Sequence, residues 1–210
     1  MLSLSKRTEG VGNLRRRGAA GLLLALLILA AALAACVPES EHPLSNPDMA
    51  AIDERLVGLW TGELIDEPVY LHVLRRTEQT LQFLLVKPEE PPVAGSWFAL
   101  AVHSSEIDGA WYINAKSLAE EEMIHDLAGE DYLLLRYDVT GGGELVVWTM
   151  SDMLFNDIRN GALEGTVKNG DLFDTFRITA ETGSLVEYIR RKGPEAVFGV
   201  EVARFRRIAE

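Results

Sequence analysis

The sequence predicts a mainly β domain, an antiparallel meander that closes on itself, with about three short helices. Three observations carry this. Short runs rich in Val, Leu, Tyr, Phe and Trp recur between residues 57 and 208. Turn residues punctuate them: Asp108-Gly109, Thr140-Gly141-Gly142-Gly143 and Asn169-Gly170 each sit between alternating segments. An Asp-Gly or Asn-Gly pair suits a tight hairpin, because both positions take positive φ. About eight or nine strands in an open sheet would leave two exposed edges, and closure into a barrel removes them. The alternative is an open sheet covered by the helices.

The elements follow in order. Residues 57–65 alternate around Trp60 and stop at Asp66-Glu67-Pro68. Strands are predicted at 69–75, 80–87, 97–107 and 110–115, with Pro88 to Pro92 a loop of Pro and Glu alone. Further strands are predicted at 132–139, 144–150, 166–168, 171–179 and 199–208. Ser117-Leu118-Ala119-Glu120 reads as a capping box, opening a helix that ends at Gly129. Ser151 is placed to cap a second helix that stops near Asn160-Gly161. Ser184-Leu185-Val186-Glu187 is another capping box. Its helix ends at Gly193-Pro194, with Arg190, Arg191 and Lys192 in the last turn, where they favour the helix dipole.

The amino terminus is of another kind. Lys6, Arg7, Arg15, Arg16 and Arg17 precede residues 18–35, which are only Gly, Ala, Leu and Ile. Basic, apolar, then small is the order of a secretory signal. An uncleaved anchor is the other reading, since the run approaches the shortest spanning length. The run ends at Leu33-Ala34-Ala35-Cys36, and Cys36 is the only cysteine. This ending resembles the lipobox of bacterial lipoproteins. The resemblance implies cleavage before Cys36, a diacylglycerol on its thiol and an acyl chain such as palmitate on its amine. It further implies a lipid-anchored envelope protein; Val37 is not Asp, which favours the outer membrane, with the domain facing the periplasm. Residues 1–35 are then a signal peptide, 36–50 a lipidated cysteine and flexible tether, and 51–210 a single mostly-β domain. The tether reading rests on Pro38, Pro43 and Pro47 among polar residues.

Residues 1–35 hold five of the 20 Lys and Arg and one of the 32 Asp and Glu. The remaining 175 residues carry 15 basic and 31 acidic side chains, a formal charge of −16. That length supports one domain with a sizeable core. Such an acidic surface argues against nucleic acid, whose binding requires phosphate neutralisation.

Gly58-Leu59-Trp60 opens the first domain strand. It is similar to the Gly-x-Trp opening of lipocalins and related calycin barrels. The resemblance implies that Trp60 plugs the closed end of a barrel, with Arg204 or Arg206 from the last strand packed over it. The chain departs from that family in lacking a disulfide and a Thr-Asp-Tyr-type motif, and in placing a helix before the last strand.

No catalytic signature emerges. Glu122-Met123-Ile124-His125 has the spacing of carboxylate di-iron helices but occurs once, so a solvated helix face accounts for it. His42 falls in the tether and His72 and His103 in strands, without ligand spacing on one element. In His103-Ser104-Ser105 adjacent residues point to opposite faces, so His103 and Ser104 cannot meet. Gly141 to Gly143 lack the Lys-Ser or Lys-Thr of a phosphate loop. The expectation is therefore a non-enzymatic lipoprotein that binds a small apolar ligand without a cofactor or metal, Tyr132 and Leu134 lining the cavity. The alternatives are an interaction module for another envelope protein or a metal-dependent hydrolase.

Overall fold

Eight strands of alternating burial join edge to edge and close. The computed structural model describes residues 38–64, 67–88, 96–118, 131–168 and 175–208. A short strand, β1 (Glu39–Ser40), comes first. A meander follows: β2 (Gly58–Leu64), β3 (Glu67–Arg75), β4 (Leu81–Lys87), β5 (Ser96–Ile107), β6 (Ala110–Ser117), β7 (Tyr132–Val139) and β8 (Glu144–Thr149). After an insertion, β11 (Val200–Arg207) enters between β8 and β2, and β6 pairs with β7, so no barrel edge stays open. The result is a mainly β fold built on a closed, eight-stranded antiparallel barrel, as the turn chemistry and the edge argument predict.

The local reasons are plain. Asp108 and Gly109 take φ values of 51° and 85° in the β5–β6 turn. Gly62 sits where β11 crosses closest, and a Cβ there would collide with the Arg204 carbonyl. The barrel interior collects one parity from every strand, including Trp60, Val73, Phe83, Val102, Ile113 and Phe205. A second buried cluster lies on the outer face of β5–β8.

The insertion between β8 and β11 supplies that second cluster. It contains α1 (Met153–Arg159), β9 (Gly165–Lys168), β10 (Thr175–Ile178), α2 (Thr182–Lys192) and α3 (Pro194–Val197). β9 and β10 form a hairpin joined to the barrel through β1, which pairs with β10 on one side and β7 on the other. Leu154, Ile158, Leu185 and Ile189 from the helices pack on Ile107, Tyr112 and Leu134. α2 ends at Gly193 with φ 88°, as its C-terminal signal predicts. It begins at Thr182, two residues before the expected Ser184 cap, and Thr182 Oγ1 donates to the Pro43 carbonyl at 2.7 Å. Ser151 does not cap α1; its hydroxyl donates to the Ala196 carbonyl at 2.8 Å, tying α1 to α3. The helix expected after Ser117 and the Asn169-Gly170 turn lie outside the described residues.

The stretch read as a tether is, from Pro38 onward, part of the domain. Pro38, Ser40 and Leu44 are buried. Leu44 donates its backbone N–H to Asn114 Oδ1 at 2.6 Å, and the fully buried Asn114 donates to the His103 carbonyl and Ser105 Oγ. Ser45 and Ser105 hydroxyls meet at 2.6 Å, and His103 Nε2 donates to the Ser45 carbonyl at 3.3 Å. These partners are distant in sequence, so local composition gave no sign of them. They satisfy backbone groups that burial would otherwise leave unpaired.

Candidate functional site

The two ends of the barrel differ in chemistry. At one end the strap formed by residues 38–57 crosses the barrel bottom as a 3₁₀ turn, Glu54–Leu56, before entering β2. Asp53 caps that turn by accepting the Arg55 backbone N–H at 3.0 Å. Trp60 is fully buried above it and donates Nε1–H to the Leu56 carbonyl at 2.8 Å. The Arg207 guanidinium lies 4.2 Å from the Trp60 ring centre and donates to the carbonyls of Val57 (2.6 Å) and Arg55. Gly58 makes this possible: its φ is 140°, and a Cβ there would stand 2.5 Å from Arg207 Nη1.

Inside this closed end sits a buried polar group. The Asp53 carboxylate is ion-paired with Arg55 at 2.8 Å and accepts the Tyr137 hydroxyl at 2.8 Å. Burial is the largest influence on Asp53 and pushes its pKa up, but hydrogen bonds from Arg55 and Tyr137 together hold it below the usual carboxylate value. Burial raises the Tyr137 hydroxyl pKa, so it stays a neutral donor.

At the other end the strand termini Leu64, Lys87, Ser117, Tyr132, Thr149 and Val200 form the rim. The interior parity there is apolar and only half-buried: Leu64 of β2, Phe98 and Leu100 of β5, and Leu133 and Leu135 of β7. Thr149 shares that parity, since Trp148 and Met150 belong to the outer cluster. Its hydroxyl is buried and has no hydrogen-bond partner. Val200, its cross-strand neighbour, is exposed.

The residues singled out from sequence fall as follows. Trp60 stands where the calycin resemblance puts it. Arg204 and Arg206 do not cover it. Both face outward, Arg204 bound to Glu201 at 2.9 Å and Arg206 3.6 Å from Glu144. Arg207 does that work because it shares parity with Ala203 and Phe205 on the interior face. Tyr132 and Leu134 also face outward. Leu134 is buried in the outer cluster; Tyr132 is half-buried there, with Lys116 Nζ 4.2 Å from its ring and the His103 ring edge-on. The interior residues of β7 are Leu133, Leu135, Tyr137 and Val139. The run Leu133-Leu134-Leu135 conceals the parity, but Arg136 and Asp138 reveal it, since charged side chains belong outside. Cys36 lies outside the described residues, as do Glu122 and His125.

His103 is buried under the strap, and burial lowers its pKa more than its bond to the Ser45 carbonyl raises it. Ser105 shares its outward face, yet His103 hydrogen-bonds the Ser45 carbonyl, an arrangement that holds the strap rather than activating a hydroxyl. Among the described residues no three His, Cys, Asp or Glu side chains converge as metal ligands.

Fold and site together define a class: a closed eight-stranded antiparallel β-barrel with one end plugged by Trp60 and Arg207 and half-buried apolar side chains inside the other. Compared with protein-family models, curated proteins and solved structures, the chain matches none.

Proposed function

We propose that this protein is an exported lipoprotein, acylated at Cys36 and held on the outer membrane facing the periplasm, whose barrel binds a small apolar, lipid-like ligand. The observation that carries the binding reading is the half-buried ring of Leu64, Phe98, Leu100, Leu133 and Leu135 at the open end. Apolar side chains left partly exposed inside a barrel suit an acyl chain, which would remove them from water at about 25 cal/mol per Å². The reading assigns binding to the barrel, and it places His103 in the strap's hydrogen bonding.

Titration of the protein with fatty acids and phospholipids, read by tryptophan fluorescence, tests this. Saturable binding that Leu135→Asp abolishes supports it. No response from the folded wild-type protein overturns it. In that case a second observation favours an envelope-protein partner: Leu59 of β2 and, diagonally across on β3, Leu74 are both exposed on the outer wall.

A further inference from the structure

The outer wall of β6–β8 carries a cation that the fold covers without bonding. Tyr112 of β6, Arg136 of β7 and Trp148 of β8 stand directly across from one another in the ladder and face outward, beside the insertion. The Arg136 guanidinium lies over Trp148, 4.8 Å from its ring centre, and its side chain is only 20% exposed. Among the described residues no hydrogen bond reaches that guanidinium. Its carboxylate neighbour, Glu195 of α3, stops 4.0 Å away, too far for a hydrogen bond, and is itself 86% exposed. Tyr112 is fully buried against Phe198, and its hydroxyl has no partner either.

Elsewhere on this face the charges are matched or wet. Asp108 pairs with Arg190 at 3.0 Å and Glu201 with Arg204 at 2.9 Å, while Asp138 is exposed. Covering a cation without hydrogen bonds costs free energy, and so does burying a hydroxyl without a partner. A single anion would relieve both. Burial raises the Tyr112 pKa and Arg136 draws it back, so the guanidinium is close enough to act on the hydroxyl. The guanidinium fork takes two oxygens of an oxyanion. A carboxylate is then used up, whereas a phosphate has a further oxygen to accept from the Tyr112 hydroxyl.

We propose that Arg136 and Tyr112 form a binding site on the outer wall for a phosphate-class oxyanion, which enters at the exposed part of Arg136 and displaces Glu195. The site is separate from the barrel interior and independent of acylation at Cys36. The test is calorimetric titration of the full-length protein in detergent with inorganic phosphate, glycerol phosphate and acetate, at constant ionic strength. Saturable phosphate binding is expected. Glu195→Gln should tighten it severalfold, because it removes a competing carboxylate from an exposed position. Arg136→Lys keeps the charge but not the fork and should weaken it about tenfold; Tyr112→Phe should weaken it about 2- to 10-fold. Circular dichroism checks that each variant is folded. Tighter binding of glycerol phosphate than of phosphate supports the site and makes a phosphomonoester its ligand; equal binding supports it with the free ion as ligand. Acetate bound as tightly as phosphate overturns the proposal. So does an affinity that Arg136→Lys or Tyr112→Phe leaves unchanged, or the lack of saturable binding in both wild type and Glu195→Gln.

Discussion

The two ends of the barrel are made from the same eight strands, yet the buried polar and cation–π interactions of the interior sit at the plugged one. The plugged end holds the Trp60–Leu56 bond, the Arg207 stack and the Asp53–Tyr137–Arg55 cluster. Among the described residues the other end is tied by ion pairs at its periphery, Lys87 with Glu67 at 3.2 Å and Arg177 with Asp131 at 2.5 Å, and carries an unpaired buried hydroxyl on Thr149. A chain that concentrates its stability at one end can leave the other poorly satisfied. Regions that break local rules of burial and pairing tend to be functional or strained and of low local stability.

The largest effect that tests this contrast is at Trp60. Trp60→Ala should destabilise by about 3–5 kcal/mol, the range for a large buried aromatic. It also strips Arg207 of its stacking partner. Denaturant unfolding measures it, and a change near zero would show that the plugged end is not the stable one.

Next is Tyr137→Phe, expected to cost about 1–3 kcal/mol, because Asp53 stays buried with one donor fewer. The pH dependence has a definite sign. Asp53 is held below its unfolded value, so its contribution is full above roughly pH 3.9 and is lost as pH falls through the lower folded value. Tyr137→Phe raises the folded pKa and should move the acid-unfolding midpoint upward; Asp53→Asn should flatten the acid limb. An unchanged acid transition in both variants would remove Asp53 from the stability argument.

At the open end the same kind of truncation should matter less to stability. Leu135→Ala is expected to cost less than about 2 kcal/mol, the lower bound for a fully buried leucine, because Leu135 is only half-buried. Its larger consequence should be weaker fatty-acid binding. A cost equal to that of a core leucine would mean the two ends are packed alike.

How much of this was legible in the sequence depended on whether the determinant was local. β7 was read with its bounds intact, and the Asp108-Gly109 turn and the Gly193 helix stop were read correctly, because turn chemistry and periodicity act within a few residues. The strap was misread, since what fixes Leu44 is Asn114, 70 residues away. Facing was lost where neighbours share chemistry. Three leucines hid the parity of β7, and Arg204, Arg206 and Arg207 differ only in their phase relative to Phe205. A bulge between Glu201 and Ala203 further obscures that phase.

The smallest effect discriminates best between a functional open end and a merely loose one. Among the described residues two hydroxyls are buried without partners, on Tyr112 in the outer cluster and Thr149 on the interior face. Tyr112 packs against Phe198 under the insertion, and burial pushes its pKa up to about 12. Removing an unsatisfied buried hydroxyl relieves a desolvation penalty, so Tyr112→Phe and Thr149→Val should each leave stability unchanged or raise it by up to about 1 kcal/mol. In ligand binding the two should part. Tyr112 lies outside the barrel, and Tyr112→Phe should not alter fatty-acid affinity. Thr149 shares the interior face with the half-buried leucines, where it can bond a ligand's polar head. One such bond contributes about 0.5–1.5 kcal/mol, so Thr149→Val should weaken binding about 2- to 10-fold. Equal affinity in both variants would assign the Thr149 hydroxyl to imperfect packing at the rim and leave apolar contact alone to hold the ligand.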